Sequence, residues 1–158
     1  MIIEKDTDPN FNHLQDIMKY IDGHIVKAGY IENKSKNKRK KGKADNVLLA
    51  TVHNLGSPKR KIPARPTMAP AFDKNQETYN KMTDNAIYNT ISQKNKRTFD
   101  QQFGQVGIKM QNDIQQEIRT IEKPKLKQAT IKRKGSSKPL IDGGEYIQAT
   151  TFVTGKNI

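Results

Sequence analysis

Between Thr98 and Ile121 the apolar residues Phe99, Phe103, Val106, Met110, Ile114, Ile118 and Ile121 recur at steps of three and four. That spacing lines them along one side of a helix roughly 30 Å long. A helix with one apolar side must cover it with other elements, so the rest of the chain has to fold around this one. Thr98 and Gln101 stand at capping-box spacing and start it, and Pro124 ends it. Gly104 and Gly107 fall inside it, each costing a helix about 1 kcal/mol against Ala, which points to a bend or a close neighbour there.

The elements available to cover that side are short. Asp8 before Pro9 can cap a helix whose face is Phe11, Leu14, Ile17, Met18 and Ile21, with Gly23 as its stop. HIVKAGYIE (24–32) mixes β-branched and aromatic residues in rough alternation and reads as a strand. Asp45 and Gly56 bracket a second helix carrying Leu48, Thr51, Val52 and Leu55. Residues 72–92 hold Phe72, Tyr79, Met82, Ala86 and Ile87 at helical spacing. Near the end, PLIDGG leads into a Gly-rich turn and YIQATTFVT (146–154) alternates as a strand. No internal repeat is visible. The expectation is an α+β fold: a small antiparallel sheet, made by the first and last strands, with three to four helices and long basic loops.

At 158 residues the chain fits one domain, 1–158, with a modest core. Only 33% of its residues are hydrophobic, Trp is absent, and the formal net charge is +13. That balance implies extensive solvated surface and a polyanionic neighbour, either nucleic acid or an acidic protein surface. Without cysteine there are no disulfides and no thiolate metal site. The N-terminus lacks a charged-then-apolar leader pattern, and no apolar run approaches the roughly 20 residues that cross a bilayer, so a soluble protein is expected.

Two basic regions stand out. NKSKNKRKKGK (33–43) contains no apolar residue and is expected to form a flexible lysine-rich loop. Its Lys34, Lys36, Lys38, Arg39, Lys40, Lys41 and Lys43 are candidates for DNA or acidic-surface contact, the alternative being a solvated loop that orders only in an assembly. Without interleaved aromatics, any DNA contact there would be to the backbone. Residues 123–138 are basic again.

Residues 54–72, NLGSPKRKIPARPTMAPAF, set Arg65 between prolines. Proline fixes its own φ and biases the preceding residue toward extended backbone, which affects Ile62, Ala64, Arg65 and Ala69. The segment reads as a stiff strap, a connector or a binding element that loses little entropy on ordering. Catalytic signatures are lacking. His13, His24 and His53 have no ligand spacing, and no nucleophile elbow, phosphate-binding loop or HExxH occurs. Asp142 before Gly143 and Gly144 is a turn residue rather than half of a carboxylate pair with Glu145. The expectation is a protein that is not an enzyme, with no cofactor, no metal and no small-molecule substrate.

Two stretches carry a resemblance. In the first, Gly56 is followed by Ile62, Pro63, Ala64, Arg65 and Pro66; in the second, Thr130, Ile131, Arg133, Lys134 and Gly135 precede Lys138, Pro139, Leu140, Ile141 and Asp142. Both, in this order, resemble the neck and tail-completion proteins of long-tailed bacteriophages, the virion-morphogenesis family. The similarity runs from about residue 44 to 153 and leaves out the first helix and the lysine tract. Asn54 and Leu55 depart from the family's acidic and aromatic pair, Thr67 from its aromatic, and Gly143 from its threonine.

The resemblance implies a structural virion protein of the head–tail interface, assembled in the host cytoplasm, whose partners are copies of itself in a ring and the neighbouring connector and tail proteins. The DNA backbone in the channel is a further candidate contact, and no membrane is involved. It makes Ile62, Pro63, Arg65, Pro66, Pro139, Leu140, Ile141 and Asp142 the candidate assembly interface. In such a ring Arg65 would hold a carboxylate of its own fold or of the next subunit, the alternative being that it caps local carbonyls. A tail-terminator ring protein, or a basic non-enzymatic nucleic-acid-binding protein, is the alternative reading of the same sequence.

Overall fold

The computed structural model describes residues 8–31, 45–93, 96–156 and 158. Among these residues the chain is α+β, in the order α1 (Pro9–Ile21), β1 (His24–Gly29), α2 (Asn46–Leu55), α3 (Met68–Ile91), α4 (Phe99–Thr120), α5 (Gln128–Lys134), α6 (Glu145–Gln148) and β2 (Thr151–Lys156). The strands form a two-stranded antiparallel sheet with His24 opposite Lys156 and Gly29 opposite Thr151. The pairing of first and last strands is therefore as the sequence suggested. The helix count is not: six replace the expected three to four, because α5 and α6 span seven and four residues and are too short to show a period.

Local signals account for most helix ends. Asp8 accepts from the Asn10 amide at 2.8 Å and Asp45 from the Leu48 amide at 2.7 Å, each satisfying a donor that the helix leaves open. The Thr98 hydroxyl accepts from the Gln101 amide, and the Gln101 side chain accepts in return from the Thr98 amide. α3 begins at Met68, four residues earlier than the pattern predicted, so Ala69 is helical although Pro70 follows it. Pro70 lies in the first turn, where its missing N–H would have had no intrahelical acceptor.

α3 and α4 pack as an antiparallel pair. Lys74 bonds Glu117, Tyr79 bonds Asp113 and Asn89 bonds Gln102, one number rising as the other falls. One buried cluster lies between them, formed by Tyr79, Ala86, Phe99, Phe103 and Val106. A second, Ala50, Ala71, Ile114, Ile118, Leu140 and Tyr146, joins α2 and the C-terminal segment to the same helices. The periodic residues of α4 thus serve both clusters.

The sheet lies across α4, and Gly107 makes that approach possible. A Cβ on Gly107 would fall 2.2 Å from Cδ2 of Phe152 in β2, whereas one on Gly104 would meet nothing within 4 Å. At the other end of the sheet Tyr20 donates to Asp100 at 2.6 Å, and the His24 ring packs edge-on against Tyr20 and Phe99. These contacts fasten the α1–β1 junction to the start of α4.

The predicted strand 146–154 divides. Gly143 and Gly144, at φ 70° and 80°, turn the chain into α6, and only the second half of the stretch is β2. Likewise β1 stops at Gly29, because Tyr30 leaves the sheet to stack on Tyr146 with ring centroids 4.8 Å apart; residue 32, the end of the expected strand, lies outside the described residues. The basic stretch 123–138 contains α5.

Candidate functional site

The proline strap is partly folded back on itself. Pro58–Arg60 form one 3-10 turn, Lys61 takes a left-handed conformation at φ 54°, and Ser57 and Ile62 exchange both backbone hydrogen bonds at 2.8 and 3.0 Å. Residues 63–67 then run without regular structure to the start of α3, and the predicted extended strap is confined to this part. Gly56, at φ 76°, lies under the returning chain: a Cβ there would sit 2.9 Å from the Ala64 nitrogen and 3.0 Å from the Ile62 oxygen. This crossing requires glycine on both counts, conformation and space.

Two polar contacts pin the strap to the end of α2. The Arg65 amide donates to the His53 carbonyl at 2.6 Å. The Thr67 amide donates to Asn54 Oδ1 at 3.2 Å, while Asn54 Nδ2 donates to the Ala50 carbonyl at 2.9 Å. Asn54, which stands where the resemblance expected an acidic residue, therefore joins strap to helix through both ends of its amide.

Arg65 is 5% exposed. Its Nε and Nη2 both donate to the carbonyl of Pro124, at 3.0 and 2.8 Å. The partner is neither a carboxylate nor a local carbonyl; it is a backbone oxygen 59 residues along the chain, just beyond α4. Burial pulls the guanidinium below its ordinary pKa. A planar fork aimed at one oxygen suits a joint between two irregular segments, which have few backbone partners of their own.

The second motif meets the same joint. Lys134, at the end of α5, donates to the carbonyls of Lys138 and Pro139 at 2.7 and 3.0 Å and so closes the turn after Gly135. Burial holds its ammonium below the usual lysine range; Asp142 opposes that shift and Arg65 adds to it. Lys134 therefore lies within electrostatic reach of both Asp142 and Arg65, although the sequence separates it from Arg65 by more than sixty positions.

Behind this joint lies a buried polar and aromatic cluster that the sequence did not announce. Tyr146 stacks on Tyr30 and meets the His53 ring edge-on at 5.3 Å. Tyr30 donates to the Tyr146 carbonyl at 3.1 Å. Burial pushes the hydroxyls of both tyrosines above the ordinary range. From α4, Gln111 and Gln115 donate to the Thr150 carbonyl and hydroxyl at 2.9 Å each, anchoring the link between α6 and β2. A glutamine on a helix looks like solvated surface until the neighbouring chain is known.

The predicted interface residues divide by exposure. Arg65, Pro139 and Leu140 are buried; Ile62 and Ile141 are half-buried; Pro63, Pro66 and Asp142 face solvent. The lysine tract 33–43 lies outside the described residues. The three histidines are apart: His13 bonds Gln93, His24 bonds Asp100, and His53 rests on Tyr146. No group of three or more His, Asp or Glu among the described residues could hold a metal ion, and no described helix is long and apolar enough to cross a membrane. No family model, curated protein or solved structure matches the chain.

Proposed function

We propose that this chain is a non-catalytic assembly subunit, a small α+β protein that works by fitting against copies of itself and against neighbouring proteins. More particularly, we propose that it is a neck or tail-completion subunit joining the head of a long-tailed bacteriophage to its tail. The observation that carries this reading is the meeting of the two motif segments at one joint. Arg65 of the first segment grips the Pro124 carbonyl, and Lys134 of the second, which closes the turn at residues 138–139, feels the charge of both Arg65 and Asp142.

The joint also divides the labour among the candidate interface residues. Buried Arg65, Pro139 and Leu140 hold the two segments in register, and exposed Pro63, Pro66 and Asp142 are presented outward. A preorganised rim of this kind orders little further on contact, which favours repeated docking between identical subunits. In vitro complementation tests the reading: purified protein added to a lysate made with this gene disabled should restore plaque-forming particles. A lysate that stays non-infectious, although extract from the intact phage rescues it, would count against the role.

A further inference from the structure

The segment 122–138 forms a closed loop on the surface. Its base is drawn together by Lys138 and Glu122, 3.7 Å apart, and its interior turn is held by Lys134. Along it Lys123, Lys125, Lys127, Lys132 and Arg133 are all exposed, and none of their side chains makes an ion pair or hydrogen bond among the described residues. Glu122 is its only acidic residue, and Lys138 engages it.

A second basic segment is tethered to this loop through Arg65. Lys59, Arg60 and Lys61, exposed on the 3-10 turn, lie four to six residues before Arg65, whose side chain grips Pro124 between Lys123 and Lys125. At no more than about 3.6 Å per residue, and with the length of the Arg65 side chain added, the chain keeps these cations within roughly 30 Å of the loop's start. The Arg65 joint therefore gathers two cationic segments that the sequence keeps far apart.

We infer that this gathered face is a binding surface for the phosphate backbone of duplex DNA, separate from the lysine tract 33–43. Three features favour that occupant over an acidic protein. Lysine dominates the face, and lysine is depleted from protein–protein interfaces. Its apolar residues Leu126 and Ile131 are half-buried, which leaves no exposed apolar centre for a protein partner. Residues 122–138 contain no aromatic side chain, so bases have nothing to stack on and contact stays with phosphates, independent of sequence. The choice of DNA over RNA rests on the proposed virion role; the cationic face does not.

The test is a fluorescence-anisotropy titration of the full chain with a labelled random-sequence duplex, repeated from 50 to 300 mM NaCl. Three variants are compared: Lys125→Gln, Lys127→Gln and Arg133→Gln together on the face; Lys36→Gln, Lys38→Gln and Lys40→Gln in the tract; and Lys19→Gln, Lys81→Gln and Lys96→Gln elsewhere. Removing one cation that neutralises a phosphate lowers the slope of log K against log salt by about 0.9, so the face variant should lose about 2 to 3 and the third variant less than about 1. The single change Lys127→Gln should lose about 0.9 and guards against a misfolded triple variant, with melting curves confirming the fold. Equal slopes for the face variant and the wild type would overturn the inference, as would equal losses in the face and third variants. Binding to polyglutamate without binding to the duplex would assign the face to an acidic protein instead. None of these outcomes depends on whether the gene is needed for particle assembly.

Discussion

Two glycines three residues apart in one helix should respond to alanine with opposite signs. At Gly104 a new Cβ meets nothing within 4 Å, so Gly104→Ala gains only the helix preference, about 1 kcal/mol. At Gly107 the same Cβ would stand 2.2 Å from Phe152 Cδ2 and 2.8 Å from Cγ and Cε2, where carbon atoms ordinarily rest about 3.5 to 4.0 Å apart. Phe152 pairs with Ala28 across the sheet, so its ring has to leave its rotamer or carry the strand with it. Overpacking of that kind costs about 1–3 kcal/mol, which outweighs the gain. Gly107→Ala should therefore lose about 1 kcal/mol, separating the two variants by about 2 kcal/mol. Urea denaturation followed by circular dichroism measures the difference directly, and in thermal melts it corresponds to roughly 4–8 °C for a chain of this size. Equal shifts of the same sign would refute the seating of the sheet on α4.

Other consequences follow from the joint and the buried tyrosines. Arg65→Ala removes two charge-assisted hydrogen bonds and leaves the Pro124 carbonyl without them, so a loss of about 2 kcal/mol is expected in the same denaturation assay; unchanged stability would deny Arg65 its structural role. Stability that rises above about pH 10 would contradict the placement of Tyr30, Tyr79 and Tyr146, all held above the ordinary tyrosine range chiefly by burial. Because the folded state keeps these protons while the unfolded chain releases them near pH 10, their contribution is complete below about pH 10 and falls as pH rises beyond it, by up to about 1.4 kcal/mol per pH unit for each. Tyrosinate absorbance from these three should accordingly appear together with unfolding, rather than before it.

What the sequence disclosed was mainly local. Asp8, Asp45 and the Thr98–Gln101 pair act within three residues of their own positions, so their caps could be read directly. The period of α4 was equally plain, since both clusters draw on its one apolar side. The Arg65 joint was not legible, because its partner is a backbone carbonyl and every residue has one. Nor could Gln111 and Gln115 be distinguished from solvated glutamines without knowing that Thr150 lies opposite. The stretch 146–154 alternates throughout, yet Tyr146 and Ile147 point inward from a helical turn that Gly143 and Gly144 impose. Gly107 lay between these cases: a glycine inside a strong helix signalled a neighbour without saying which.

The most direct test of the proposed role is negative-stain microscopy of a lysate in which this gene alone is disabled. Filled heads beside separate tails of normal length are the expected result. Overlong tails would transfer the protein to termination of the tube, and joined, infectious particles of normal form would contradict the head–tail role altogether.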